Sequence, residues 1–255
     1  MNELAQWERY VERFDLSDPK IRLKHHHSLR VRELCGEIAR RLSLSPDEIA
    51  LAKRIGLLHD IGRFPQAQHY GTFLDKDSVS HAALGIEVLF AQGWITSFEK
   101  DRSHDALIAA AIAFHSDYAL PQGLSTQTRQ YCHILRDSDK IDILRVHQEH
   151  SYQEFLDCTK EQLAAATISD AILEAFLRHE PVDFSKRQTP LDILLSHDAI
   201  VFGLHYPQSR ALFIEKGYPL LSALCDIPFA PAARDRLKRI EQECRRCGFP
   251  VKEVA

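Results

Sequence analysis

Glycine and methionine are scarce in this chain, with ten glycines and one methionine among 255 residues. Few glycines leave little provision for the tight turns that hairpins need. No stretch alternates apolar and polar residues for long enough to read as a half-buried strand. Long apolar runs are also lacking, so no segment is suited to spanning a bilayer as a helix. Neither sign of charge dominates. The 32 basic and 36 acidic residues are interspersed and leave a formal charge of −4. That balance argues against a nucleic-acid footprint or a membrane-surface patch. The polar, amphipathic start from Met1 to Arg9 lacks the apolar core of a signal peptide, so a cytoplasmic protein is expected. Cys35, Cys132, Cys158, Cys225, Cys244 and Cys247 are scattered, which suits buried reduced thiols better than disulfides.

What is present is helix-forming. Apolar residues recur at spacings of three and four, and an all-α fold is expected. The spacing predicts helices over 2–13, 26–42, 46–61, 79–92, 103–115, 127–146, 152–158, 160–178, 189–204, 208–225 and 231–247. Ser45-Pro46-Asp47-Glu48 is a helix start, with a capping serine, a proline at the first helical position and two first-turn acids. Thr189-Pro190 repeats the pattern, and Ser78 is placed to cap the helix carrying His81. Gly62 and Pro65 are expected to end the helix carrying His59, leaving a long loop from Pro65 to Lys76. The length suits one large helical domain or a domain plus extension, with a soft boundary near Ser151 dividing 1–150 from 151–255.

Six titratable residues lie on apolar helical faces. His27 shares a stripe with Val31, Leu34, Cys35, Ile38 and Leu42. His59 follows Leu51, Ala52, Ile55 and Gly56 at helical spacing. His81 precedes Leu84, Gly85, Val88 and Leu89. His115 follows Leu107, Ile108, Ala111 and Ile112. Asp139 lies four residues from both Leu135 and Ile143, a better register than that of Asp137. Asp60 adjoins His59, about 100° around the helix. One buried polar residue can be satisfied by a hydrogen bond, but six converging ones are better explained by a cation. Imidazole and carboxylate suit Fe, Mn, Zn, Ni or Co. An adjacent His-Asp pair lets the imidazole bind one ion while the carboxylate reaches a second. The other residues then divide, with His27, His59 and Asp139 on one ion and His81 and His115 on the other. Two such ions can clamp the attacking and leaving oxygens of a phosphate ester.

At these residues the sequence resembles the HD-domain metal phosphohydrolases. The carrying motifs are His27-Ser28-Leu29-Arg30-Val31, Leu57-Leu58-His59-Asp60-Ile61-Gly62-Arg63, Ser80-His81-Ala82-Ala83-Leu84-Gly85, Ala113-Phe114-His115 and Asp137-Ser138-Asp139-Lys140-Ile141-Asp142. They span roughly 25 to 146. The resemblance implies an HD-domain helical bundle with additional C-terminal helices, two divalent metals, and hydrolysis of a small phosphorylated substrate such as a nucleotide. The six-ligand set is similar to the binuclear branch, which includes dinucleoside tetraphosphate hydrolases and cyclic-dinucleotide phosphodiesterases. The phosphodiesterases carry a doubled histidine, whereas Ser116 follows His115 here. Their Gly-Tyr-Pro signature has no counterpart at the motif, since Gly217-Tyr218-Pro219 lies far downstream. Arg63 stands where they have lysine.

Asp60, Arg63 and Lys140 are the expected catalytic residues. Arg63 and Lys140 are expected to clamp phosphate, and Arg30 to reach the same site. Gln66, His69 and Tyr70, in the loop after the His-Asp motif, are expected to contact substrate. His25 and His26 face away and read as exposed or supporting. His104, His133, His147, His150, His179, His197 and His205 lack a matching constellation. Cys244-Arg245-Arg246-Cys247 is a lone Cys-x-x-Cys and reads as two thiols on a terminal helix. Two other functions use the same ligands. One is a di-iron oxygenase, and the other is a nucleotide-sensing module without catalysis. A homodimer is a possible assembly, and the sequence does not name the oligomeric state.

Overall fold

The computed structural model describes residues 2–149, 152, 156, 158–180 and 182–254. The fold is all-α. Among the described residues the only strand-like feature is a single parallel bridge between Leu220 and Val251. No helix among them is long and apolar enough to cross a membrane. The chain separates into two compact units, Met1–Asp139 and Lys140–Ala255.

The first unit contains α1 (Glu3–Val11), α2 (Pro19–Arg41), α3 (Pro46–Leu58), α4 (Arg63–Tyr70), α5 (His81–Ile86), α6 (Ile95–Phe98), α7 (Asp105–Ala113) and most of α8 (Thr126–Glu149). α2 begins earlier than the apolar spacing predicts. Asp18 caps it through the Lys20 amide and Pro19 occupies its first turn, a start that the apolar spacing misses because only Ile21 and Leu23 interrupt the basic and histidine residues of 20–26. α2 and α3 pack along their lengths. Gly56 permits this approach, because a Cβ there would lie 2.7 Å from Cys35 Sγ and 2.9 Å from the Val31 carbonyl oxygen. α3 starts as expected, with Ser45 and Glu48 forming a reciprocal capping box.

The stretch after α3 departs from the expected loop. Residues 63–70 form a helix, and its end is Gly71 at φ 64°. Pro65 does not prevent this, because first-turn amides have no intrahelical acceptor to lose. The connection then runs only from Gly71 to Ser80. Ser80 rather than Ser78 caps α5, accepting from the Ala83 amide at 3.2 Å. Ser78 is used elsewhere, donating to the Leu74 carbonyl at 2.9 Å.

An aromatic cluster supports the turn between α3 and α4. Trp7, Tyr10 and Phe64 are almost wholly buried. Phe64 meets Trp7 edge-on at 5.4 Å between centroids, and Trp94 meets Tyr10 edge-on at 5.0 Å. Burying each ring contributes roughly 1.5–3 kcal/mol. The Tyr10 hydroxyl donates to the Ile61 carbonyl at 3.1 Å, fixing the turn beside Asp60.

The second unit carries α9 (Lys160–Ala165), α10 (Asp170–Leu177), α11 (Pro190–Asp198), α12 (Pro207–Lys216) and α13 (Pro231–Arg246). The helix expected over 160–178 is two helices. Ser169 hydroxyl and amide both bond the buried Asp192 carboxylate, which holds the chain extended between them. The helix expected over 208–225 stops at Lys216, where Gly217 takes a left-handed φ of 68°. The helix expected over 152–158 and the boundary near Ser151 fall largely outside the described residues, as does His150.

Candidate metal centre

The first unit brings the six sequence-predicted residues together. His27 comes from the middle of α2, His59 and Asp60 from the end of α3, and His81 from the first turn of α5. His115 follows α7, and Asp139 lies on α8. Asp60 is central. Its Oδ2 lies 3.6 Å from His27 Nε2 and 3.5 Å from His59 Nε2. Its Oδ1 lies 3.6 Å from His81 Nε2 and 3.7 Å from His115 Nε2. The two oxygens therefore face two histidine pairs. Asp139 joins the first pair, with Oδ1 3.1 Å from His27 Nε2 and 3.8 Å from His59 Nε2.

Close packing makes this convergence possible. Gly62 lies against the start of α5, and a Cβ there would stand 2.1 Å from the His81 carbonyl oxygen. No side chain fits in that space, so only glycine lets Asp60 approach His81. Arg136 ties down the segment bearing His115, donating to the Phe114 carbonyl at 2.8 Å and the Tyr118 carbonyl at 3.2 Å.

The imidazoles are oriented by their outer nitrogens. His59 Nδ1 lies 2.8 Å from the Gly56 carbonyl oxygen, and His115 Nδ1 lies 2.7 Å from that of Ile112. A carbonyl can only accept, so both Nδ1 atoms carry the proton. His81 Nδ1 likewise donates to Asp75 Oδ2 at 2.7 Å. In the neutral rings the Nε2 atoms are then bare lone pairs. His81 and His115 nevertheless point these atoms at each other across 3.0 Å. Two facing lone pairs repel unless a cation lies against both. Asp60 Oδ1 is buried and, among the described residues, has no partner within ordinary hydrogen-bond distance, another group left for a cation. His27, His59 and Asp139 form one group that could hold a metal ion, and His59, Asp60 and His115 another. The residues present therefore fit divalent metal.

The electrostatics agree. Burial opposes the charge on Asp60, but the Lys24 ammonium beside it outweighs burial and holds the carboxyl well below its ordinary range. Burial also opposes the charge on Asp139, and hydrogen bonding from His27 with the nearby imidazoles reverses the effect. Burial pushes His81 down to about 4, so the ring is neutral near neutral pH and its lone pair is available.

Sequence reasoning missed two neighbours. Lys24 Nζ donates to Asp60 Oδ2 at 2.7 Å. It precedes His27 by three residues on α2, a helical spacing that would have flagged it had the early start of α2 been recognised. Asp75 accepts from His81, from Gln66 at 2.8 Å and from Arg63 Nη1 at 3.0 Å. No sequence periodicity reaches it, because it lies in the connection before α5.

The expected substrate contacts are distributed unevenly. Arg63 is beside the cluster, its Nε 3.6 Å from Asp60 Oδ1, with Nη1 also donating to the Phe73 carbonyl at 2.6 Å. Gln66 is fully buried and anchors the connection. Its Nε2 donates to Asp75, Ser78 and Val79, and its Oε1 accepts from Arg63. His69 and Tyr70 are exposed at the end of α4. Arg30 is half-buried, three residues beyond His27 on α2. Lys140 donates to the Gly203 carbonyl within the second unit. His26 is exposed, but His25 is buried, stacked on Trp7 at 6.3 Å and 3.7 Å from Glu8. The cluster histidines themselves are almost sealed. Asp139, Lys24 and Arg63 keep side-chain exposures of 18%, 19% and 16%, so they mark its open edge.

Helices that present His, His-Asp, His, His and Asp in that order define a class, the metal-dependent phosphohydrolase superfamily of HD domains. Residues 25–145 match the family model of the HD domain, and this segment of the chain is an HD domain. All six cluster residues fall inside it. Among curated proteins, the chain is similar to Ribonuclease Y 1 of Pediococcus pentosaceus. The two are 35% identical over 92 residues, which make up 36% of this chain and 14% of that protein. The chain thus matches only a small part of that relative's length. No solved structure matches.

Proposed function

We propose that the protein is a cytoplasmic phosphohydrolase that cleaves a phosphoester or phosphoanhydride of a small molecule, a nucleotide by preference, with two divalent ions. The observation carrying this reading is the position of Asp60, whose two oxygens face separate histidine pairs. His27, His59 and Asp139 would hold one ion and His81 and His115 the other, with Asp60 shared. Bound there, the metals supply Lewis acidity to phosphoryl oxygens and activate water as the nucleophile.

The chain's own residues do the rest. Asp75 keeps the His81 proton on Nδ1 and so keeps Nε2 directed at the cluster. Lys24 and Arg63 flank Asp60 at its open edge, where they can balance phosphate charge. Arginine suits bidentate contact with phosphate oxygens but is too basic to act as the proton donor. The leaving group must therefore take its proton from water or from Lys24.

The test is release of phosphate or nucleoside monophosphate from nucleotides and an aryl phosphate by protein loaded with Fe, Mn, Co, Ni or Zn. A short RNA belongs in the panel because of the ribonuclease relative. Hydrolysis of RNA alone would replace the small-molecule substrate, and inactivity with every metal would remove the reading. Full activity with redox-inert metal would set aside oxygenase chemistry.

A further inference from the structure

His179, Glu243 and Cys247 belong to the second unit and take no part in the HD cluster. By sequence His179 has no constellation and Cys247 closes a lone Cys-x-x-Cys. The fold brings them together. Glu243 and Cys247 are four residues apart at the end of α13, on one helical face. His179 follows α10 and adopts φ 60°. The Glu180 amide bonds the Ala175 carbonyl across it at 2.9 Å. This is the helix-terminating position where glycine is the usual occupant, because a Cβ is strained there. A histidine in that place incurs the strain while presenting its side chain to α13.

The imidazole is held in one plane. It stacks on Phe202 at 4.6 Å between centroids and 15° between planes. Its Nε2 lies 2.5 Å from Glu243 Oε1 and 3.4 Å from Cys247 Sγ, and Cys247 Sγ lies 3.7 Å from Glu243 Oε1. The three donor atoms form one compact group that could hold a metal ion. Ligands around a tetrahedral zinc ion stand about 3.3–3.7 Å apart. Both separations involving sulfur already match. The third is a hydrogen bond and must open by about 1 Å as the ion replaces its proton.

We propose that His179, Glu243 and Cys247 form a second cation site, which takes a zinc-class divalent ion through one nitrogen, one oxygen and one sulfur. The thiolate sets the class, since sulfur with imidazole selects zinc or cobalt over the hard cations magnesium and calcium. All three residues are partly exposed, so the ion can enter and solvent can fill the fourth position. On binding, the Cys247 thiol proton and the His179 Nε2 proton both pass to solvent, and the imidazole binds as the neutral ring with its proton on Nδ1. Glu243 keeps a partner in Arg246, whose Nε donates to Oε2 at 2.9 Å. The ion would then clip the end of α10 to the end of α13. Buried Cys244, the other thiol of the motif, faces inward and is not a ligand.

The HD cluster contains no sulfur, so a thiolate signal separates the two sites. Titration of the full-length chain with Co(II) is expected to give thiolate-to-cobalt charge-transfer absorption in the near ultraviolet. Cys247→Ser and His179→Gly should abolish it, and Cys244→Ser and Asp60→Ala should leave it intact. His179→Gly suits the left-handed backbone, so loss of the band there is not explained by misfolding. Zinc should also slow alkylation of Cys247, but not of Cys225, by about ten-fold or more, because a coordinated thiolate is no longer a free nucleophile. Absence of the band from the wild-type chain, its survival in Cys247→Ser, or unprotected Cys247 in the presence of zinc would overturn the site. None of these readouts depends on hydrolytic activity.

Discussion

The Asp75 carboxylate accepts from His81, Gln66 and Arg63 together. Its link to His81 is the kind of outer contact that typically governs metal affinity by about 10–100-fold. Asp75→Ala should therefore weaken metal binding or turnover by about that factor, and Asp75→Asn, which keeps an acceptor, by less. Isothermal titration with Mn(II) alongside Tm separates this from unfolding, and unchanged affinity in Asp75→Ala would remove its positioning role. In the second unit, burial pushes Asp198 up from 3.8 to about 7 although it accepts from the Leu221 amide. A raised carboxyl contributes stability that is complete below its unfolded value and is lost as pH rises through its folded value. Stability attributable to Asp198 should thus fall between about pH 4 and 7. Asp198→Asn should flatten that part of the Tm profile and raise Tm above it, as thermal melts across this range would show. The cluster residues were legible because each shares a stripe with apolar neighbours. Lys24 and Asp75 were not, because Lys24 lies ahead of the start that apolar spacing marks for α2 and Asp75 lies in a connection without periodicity.

At the scale of elements, the turn from α3 to α4 is the critical joint. Gly62→Ala places a methyl group against the His81 backbone, an overpacking that costs about 1–3 kcal/mol and separates Asp60 from His81. Activity and metal affinity should fall together. Gly71 provides the contrast, since it is left-handed with open space around it. Gly71→Ala should cost about 1–2 kcal/mol through backbone strain alone and leave metal binding unchanged. Urea midpoints beside metal titrations tell the two apart, and equal effects on binding would contradict the packing role of Gly62. Helix starts were readable where proline and a capping residue coincide, as at Ser45-Pro46 and Thr189-Pro190. The helix over 63–70 was hidden because Pro65 reads as a breaker until its place in the first turn is known. The break between α9 and α10 was hidden because it depends on Asp192, more than twenty residues away.

For the whole molecule, a metal that binds only the folded chain adds to its stability. Chelation should lower Tm, and reloading at about a hundred times Kd should restore about 2.7 kcal/mol. Calorimetry of chelated and reloaded protein checks this, and an unchanged Tm would mean that the HD cluster does not hold metal. The all-α class and the six cluster residues were determined by the sequence itself, because helical periodicity and burial of polar groups are properties of short segments. The tertiary structure alone decided how those six divide about Asp60, that Lys24 and Asp75 join them, and that His179 meets Glu243 and Cys247. Those relations depend on which distant segments pack together, and on backbone carbonyls and glycine contacts that leave no pattern along the chain.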